Sequence, residues 1–135
     1  MHPIFILLSM IFCHIIDDYY LQGWLASAKQ KKWWEDNAPD NLYKNDYKMA
    51  LIEHAFSWTC SIHIPILVFG LLFSEMFDVS VFFVVYEFVL MWLTHAWVDN
   101  LKANKHELNL IQDQLIHMVQ VVGLWGVYLF LDIVR

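Results

Sequence analysis

The sequence predicts an all-α membrane protein, a bundle of four antiparallel transmembrane helices with an amphipathic cytoplasmic loop. Two observations predict this class. Hydrophobic residues make up 59% of the chain and charged residues only 16%, whereas average soluble proteins have about 25% charged residues. The apolar residues also come in long blocks, and four blocks reach the roughly 20 residues that a membrane helix needs. With 135 residues, we expect a single integral membrane domain, residues 1–135.

The four predicted spans follow one another with little chain between them. They cover residues 3–26, 48–74, 80–102 and 107–132. Two of the three connections are tight turns, which is typical of antiparallel neighbours in a bundle. The connection over 27–47 is longer, and its tryptophans and tyrosines stand among charged residues. Such aromatic residues favour the lipid headgroup layer, so we expect this loop to lie along the membrane surface; a plain solvated connection is the alternative.

Basic residues indicate the direction of the chain across the membrane. Seven lysines fall at one end of the predicted bundle: Lys29, Lys31, Lys32, Lys44, Lys48, Lys102 and Lys105. Only Arg135 falls at the other end. Because short loops rich in lysine and arginine stay cytoplasmic, we expect a multi-pass protein of the bacterial inner (cytoplasmic) membrane with both termini outside. The chain has no basic stripe for nucleic acid, so membrane lipids are the expected partners; the oligomeric state stays open, a homo-oligomer included.

Histidine and aspartate residues recur in pairs inside the predicted spans. The pairs are His14 with Asp18, His95 with Asp99 and Asp113 with His117, and His54 joins them. Residues four apart share one face of a helix. The first and third spans run inward, and in each the histidine precedes the aspartate. The fourth span runs outward, and there the aspartate comes first. In all three spans the aspartate therefore lies nearer the cytoplasm, and the histidine lies one turn deeper. Charged side chains in hydrocarbon are costly and usually mark function. We therefore expect these seven residues to converge on one pocket.

A pocket of imidazoles and carboxylates inside a helix bundle is typical of a metal site. We predict all seven residues as ligands. The predicted cofactor is zinc, one or two ions, because seven donors exceed the four of a tetrahedral zinc; manganese and iron are alternatives. The candidate catalytic residues are Asp18, Asp99 and Asp113. Lys102 is a candidate for holding a phosphate, and Gln22 and Gln114 for binding substrate and orienting ligands.

Two other interpretations of these polar residues stay open. A histidine or aspartate in a membrane helix can simply hydrogen-bond a neighbouring helix, and the same groups can form a pathway for protons or cations. Three further polar residues of the spans do not fit this arrangement. Two of them, His63 and Glu87, lie too deep, and Glu53 lies on a different helix face from His54. We expect these three to make helix–helix contacts instead of binding metal.

The motifs resemble those of a family of small, uncharacterised bacterial and phage membrane proteins. This sequence reads His14-Ile-Ile-Asp-Asp18-Tyr-Tyr-Leu-Gln22, then His54, then His95-Ala-Trp-Val-Asp99-Asn-Leu-Lys102, then Asp113-Gln114-Leu-Ile-His117. Tyr19 stands where the family usually has Phe, and Asn100 where it has Tyr. The chain is also distantly similar to zinc-dependent phospholipases C and related nucleases, which use His-x3-Asp pairs on helices. These resemblances imply a metal site and, from the second, phosphoester chemistry.

The leading functional hypothesis is a membrane-embedded, metal-dependent hydrolase. Its substrate would be a phosphate ester, such as a phospholipid or polyprenyl phosphate, near the cytoplasmic leaflet. A metal-activated water would attack the phosphate. One alternative is a metal-ion or proton transporter, which requires polar residues that continue to the outer face. Another is a non-enzymatic phage or host membrane factor whose metal is structural.

Overall fold

The computed structural model describes residues 3–73 and 81–133, and helices account for nearly all of them. The elements in order are α1 (Pro3–Ile15), a π-helical segment (Ile16–Leu21), α2 (Leu25–Ala28), α3 (Lys31–Asn37), a 3-10 turn (Asn41–Tyr43), α4 (Asp46–Phe73), α5 (Val81–Ala103) and α6 (Leu110–Ile133). No β-strand occurs within these two ranges. The all-α prediction is confirmed; the turn predicted over 74–80 lies outside the described residues.

Four of the helices are long and apolar enough to cross a membrane. They correspond to the four predicted spans, and each retains large exposed apolar side chains on its outer surface. Phe82, for example, is 88% exposed and Val119 71% exposed. Such a perimeter is unfavourable in water but suits contact with lipid acyl chains, where helices satisfy all their backbone polar groups internally.

The long helices form a ring in which each packs against two others. The main contacts run from α1 to α4, from α4 to α5, from α5 to α6 and from α6 back to α1. The core between them is apolar: Met10, Trp58, Ile62, Ile66, Val121 and Leu124. These core residues come from α1, α4 and α6. In each of the three helices they lie farther from the lysine-rich connections than the predicted histidine ligand does. The predicted metal ligands therefore occupy one end of the bundle.

The first span ends earlier than predicted, and the reason is local. The chain leaves the helix after Leu21, not at residue 26, because Gly23 adopts a left-handed conformation with φ of +47°. Glycine enters this region without the steric cost that a Cβ atom brings. The reversal sends residues 24–37 across the end of the bundle.

The start of α6 is set by a pair of capping hydrogen bonds. The Asn109 side chain accepts from the Gln112 backbone N–H at 2.9 Å, and the Gln112 side chain accepts from the Asn109 N–H at 3.0 Å. This reciprocal arrangement satisfies two backbone donors that a helix start leaves free. The helix consequently begins at Leu110, three residues after the predicted start of the span at 107.

The long connection between α1 and α4 is folded, and it covers the polar end of the bundle. Asn104, just after α5, accepts from the Lys31 backbone N–H at 2.6 Å and donates to the Lys29 carbonyl at 3.1 Å. The Trp34 indole donates to the Ala28 carbonyl at 2.7 Å. We call residues 24–37 the cap segment. The hydrogen bonds with Asn104 and between Trp34 and Ala28 hold the backbone on either side of Lys29 in place.

Candidate metal centre

Six of the seven predicted ligands converge in one buried cluster. Their donor atoms form three overlapping groups that could hold a metal ion: Asp18–His54–His95, His95–Asp99–His117 and Asp18–Asp113–His117. Within each group the donor atoms lie within 4.8 Å of one another. All six side chains are buried, with at most 5% of their surface exposed. The cluster draws on the π-helical segment and on α4, α5 and α6, so all four spans contribute.

The π-helical segment accounts for the position of the first carboxylates. Its wider turn places two consecutive aspartates, Asp17 and Asp18, inside the protein. Asp18 belongs to the cluster that could hold a metal ion, while Asp17 accepts hydrogen bonds from Ser57 at 2.8 Å and Ser61 at 3.0 Å on α4. Single π-helical turns of this kind are rare and frequent at functional sites.

The three aspartates of the cluster share one arrangement. In each, Oδ2 is held by a side chain outside the cluster: Asp18 by Gln114 at 2.6 Å, Asp99 by Lys29 at 2.6 Å and Asp113 by Lys102 at 2.6 Å. The other oxygen, Oδ1, is directed at a histidine Nε2. These separations are 3.3 Å from Asp18 to His54, 3.2 Å from Asp99 to His117 and 3.4 Å from Asp113 to His117. Three carboxylates thus present oxygens to the same space, and Asp99 does so with both, since its Oδ2 also lies 3.4 Å from His54 Nε2.

The spacing of these donors fits a metal ion better than it fits direct hydrogen bonds alone. Ligands bound at about 2.0–2.1 Å to a tetrahedral zinc lie roughly 3.3 Å from one another. The oxygen–nitrogen separations above are of this size, and the Nε2 atoms of His54 and His95 are 3.5 Å apart. Asp113 Oδ1, although buried, has no hydrogen-bond partner among the described residues. A cation bound within one of the three groups would be held by all the donor atoms of that group.

His117 is oriented for metal binding by two further side chains. The Thr94 hydroxyl donates to the Leu90 carbonyl at 2.7 Å and can therefore accept from the Gln120 amide at 2.9 Å. The Gln120 oxygen then accepts from His117 Nδ1 at 2.9 Å. With the proton on Nδ1, the Nε2 lone pair of the neutral ring points at the carboxylates. Metal-bound histidines usually have such a partner for the second ring nitrogen.

His14 is the one predicted ligand that the structure places outside the three groups. The ring is fully buried, and both nitrogens are engaged. Because an indole N–H can only donate, Trp58 donates to Nδ1 at 2.8 Å, and Nε2 then donates to the Gln114 oxygen at 3.1 Å. The Gln114 amide in turn donates to Asp18 and Asp113. His14 thus orients two carboxylates through Gln114.

The predicted substrate-binding residues have different surroundings. Gln114 donates to Oδ2 of Asp18 and of Asp113, so it contacts two of the candidate ligands. Gln22 donates to the backbone carbonyl of Asp18, and its buried oxygen has no partner among the described residues. Lys102 pairs with Asp113 and is the most exposed charged group at the cluster, with 32% of its side chain accessible. It marks the rim of the site.

Lys29 was missed as a site residue by sequence reasoning. It comes from the cap segment, yet its ammonium reaches Asp99 on α5, with 10% of the side chain exposed. Its position in a lysine-rich loop indicated only the orientation of the chain. Gln120 was also missed, although its place three residues after His117 puts it on the same helix face.

A second buried polar pair lies deeper in the bundle. His63 on α4 and Glu87 on α5 are joined by a hydrogen bond of 2.8 Å between Nε2 and Oε2, and His63 Nδ1 donates to the Thr59 carbonyl at 2.6 Å. The pair joins two neighbouring helices, which is the contact we expected for these residues. Neither residue belongs to the three groups of described residues that could hold a metal ion.

The arrangement is therefore a buried cluster of three imidazoles and three carboxylates, which could hold one or more metal ions, with two lysines beside it. No protein-family model matches the chain, and comparisons found neither a curated protein nor a solved structure similar to it. The family resemblance of the sequence motifs accordingly stays a prediction, and the function is inferred from the site itself.

Proposed function

We propose that the protein is a metal-dependent phosphoester hydrolase embedded in the bacterial inner membrane, with its site near the cytoplasmic leaflet. The observation that carries the proposal is the common orientation of the three aspartates, each with Oδ2 held from outside and Oδ1 turned toward histidine nitrogens. Six donors exceed what one tetrahedral ion needs. Zinc is the expected metal, as one or two ions; manganese and iron suit the same donors.

The chemistry follows from general properties of such centres. A divalent metal held by the histidines and aspartates of the cluster would make a water molecule nucleophilic near neutral pH. The water oxygen forms a bond to phosphorus, the phosphorus–oxygen ester bond breaks, and the leaving oxygen takes up a proton. An aspartate accepts the proton that the water loses. Asp113 suits this role because its Oδ1 has no hydrogen-bond partner in the described structure.

The position of the site favours a lipid phosphate as substrate. The cluster lies at the end of the bundle where the lysines gather, close to the level expected for headgroups. Trp24, Trp33 and Trp34 contact one another in the adjoining cap segment, with ring centroids 5.0–6.0 Å apart. Tryptophans of this kind prefer the membrane–water interface. A phospholipid or polyprenyl phosphate would present its ester at this depth.

Transport of metal ions or protons is the second candidate, favoured by the His63–Glu87 pair. A buried ionisable pair in a membrane helix is a frequent component of a relay. Against it stands the apolar core, in which Ile62, Ile66 and Leu124 fill the bundle beyond the cluster. A continuous polar path to the outer face would have to cross this layer.

The proposal is tested by metal analysis combined with hydrolysis. Purified wild-type protein should contain about one or two zinc ions per chain, and Asp99→Ala with His117→Ala should lower that count. The matched control is His106→Asn, since His106 is an exposed histidine away from the cluster and asparagine tolerates its φ of +56°. Released phosphate is measured with phosphatidic acid and with a polyprenyl phosphate in detergent micelles.

The outcomes separate the three functional classes. Phosphate release that requires zinc and is lost in the double variant supports the hydrolase. Zinc binding with no release from either lipid indicates a structural metal. Zinc flux into liposomes that Glu87→Gln abolishes indicates transport. A wild-type zinc content no higher than that of the double variant contradicts the metal centre altogether.

A further inference from the structure

The geometry points to Lys29 as the residue that binds the phosphate group of the substrate, delivered to the metal centre by the cap segment. This inference rests on the proposed hydrolase function and names the contact through which the substrate is recognised. Lys29 is the one lysine of the described chain that is buried, with 8% of its surface exposed. Its ammonium forms a 2.6 Å ion pair with Asp99, a member of the metal-binding cluster.

The burial of this lysine needs an explanation beyond the ion pair. Removing an ammonium ion from water costs several kcal/mol, and one partner rarely offsets this cost fully. The ammonium has three N–H donors, and within the described residues only Asp99 accepts from it. Two donors therefore remain beside the metal-binding cluster. A phosphate oxygen is an acceptor suited to them.

The charges around the cluster favour an anion once a metal is bound. Three aspartates face two lysines, so the empty centre has an excess of one negative charge if its histidines are neutral. One divalent cation reverses this sign, and a second makes the centre strongly positive. The dianionic form of a phosphate monoester then lowers the charge of a two-metal centre from three positive charges to one. A neutral substrate would leave the charge of a buried, loaded centre uncompensated.

The cap segment positions Lys29 where a substrate must enter. Asn104 and the Trp34–Ala28 bond hold the backbone at both sides of the residue. The cap segment lies over the polar end of the bundle, so the side that it covers is the cytoplasmic approach to the cluster. Lys29 thus contacts the substrate from the cap, while Lys102 stands at the exposed rim. A lysine at each position holds the phosphate against the metal from two sides.

Binding of inorganic phosphate to the zinc-loaded protein in detergent tests the inference. Calorimetric titration should show that Lys29→Met weakens phosphate binding about tenfold or more, because a charge-assisted hydrogen bond is lost. Lys29→Arg should retain most of the affinity, since it keeps the charge. The matched control is Lys31→Met, an exposed lysine of the same segment that pairs with Glu35. Zinc content is measured on each variant.

Other outcomes contradict the inference in distinguishable ways. If Lys29→Met binds phosphate as tightly as wild type, Lys29 does not recognise the substrate. If affinity falls only in proportion to lost zinc, Lys29 merely holds Asp99 in place. Lys29→Gln, which can still donate to Asp99, provides the test if the methionine variant does not fold. A wild-type protein that binds zinc but no phosphate contradicts the proposed function itself, whereas hydrolysis unaffected by Lys29→Met overturns only this assignment.

Discussion

At the scale of single residues, hydrogen-bond direction distinguishes ligands from the groups that orient them. His14 and His117 are equally buried and both belong to i, i+4 pairs, yet their partners differ. Trp58 donates to one nitrogen of His14 and Gln114 accepts from the other, so neither ring nitrogen has a free lone pair. Gln120 engages only Nδ1 of His117 and leaves Nε2 facing two carboxylates. Sequence spacing alone cannot separate these cases.

This difference gives a prediction for the metal content of two variants. His14→Gln should leave the zinc count unchanged, because the ring makes no contact suited to a metal. It should destabilise the protein by about 1–3 kcal/mol, since buried partners lose their hydrogen bonds. His95→Gln should lower the zinc count, because His95 belongs to two of the three metal-binding groups. Elemental analysis and denaturant titration in detergent measure both quantities; zinc lost equally from both variants would place His14 among the ligands.

At the scale of elements, the break after the first span decides what covers the metal-binding cluster. The π-helical segment turns Asp17 and Asp18 inward, and Gly23 then reverses the chain. The cap segment follows and brings Lys29 to Asp99. A straight helix up to residue 26, as predicted, would have carried this chain away from the bundle. The covering of the site therefore depends on one residue with an unusual backbone conformation.

A glycine substitution tests this dependence. Gly23→Ala should destabilise the fold by about 1–2 kcal/mol, because L residues are strained in the left-handed region. The cost is conformational, since an added Cβ would come no closer than 3.8 Å to the Leu21 carbonyl oxygen. The control is Gly123→Ala inside α6, where an added Cβ meets nothing within 4 Å and alanine favours the helix. Unfolding in detergent should show a loss for the first variant and no loss for the second.

At the scale of the whole molecule, metal bound across the three groups would connect all four spans. The candidate ligands come from the π-helical segment, α4, α5 and α6. The group Asp18–His54–His95 joins three spans, and the other two groups each join α6 to one neighbouring span. A ligand that binds only the folded state stabilises it by mass action, by about 4 kcal/mol when present at a thousand times its dissociation constant. Metal binding should therefore act on the stability of the entire bundle.

Removal of metal with a chelator should accordingly lower the Tm of the purified protein, and added zinc should restore it. Thermal unfolding followed by circular dichroism in detergent measures the change. The Asp99→Ala, His117→Ala double variant should show a smaller zinc-dependent shift, because two of the three candidate metal-binding groups contain one or both of these residues. An equal zinc-dependent shift in the double variant would locate the stabilising metal elsewhere.

Much of the fold, and the convergence of six candidate ligands, was accessible from the sequence because both depend on local periodicity. Four apolar blocks of sufficient length predicted four spans, and the i, i+4 pairs placed aspartates and histidines on common helix faces. The alternation of chain direction then put these faces at one depth. His54 could be added because its distance from the start of its span gives the same depth. None of these inferences requires knowledge of which helices are neighbours.

The sequence by itself determined the class of the protein, its four spans and the residue types gathered at one end. Only the tertiary structure decided that Lys29 reaches Asp99 across 70 positions of the chain, and that Trp58 and Gln114 occupy both nitrogens of His14. The physical reason is that helical periodicity acts over a few residues, whereas these contacts depend on a chain reversal at Gly23 and on the packing of side chains from different helices. Periodicity can be read along the chain; packing exists only after the helices have assembled.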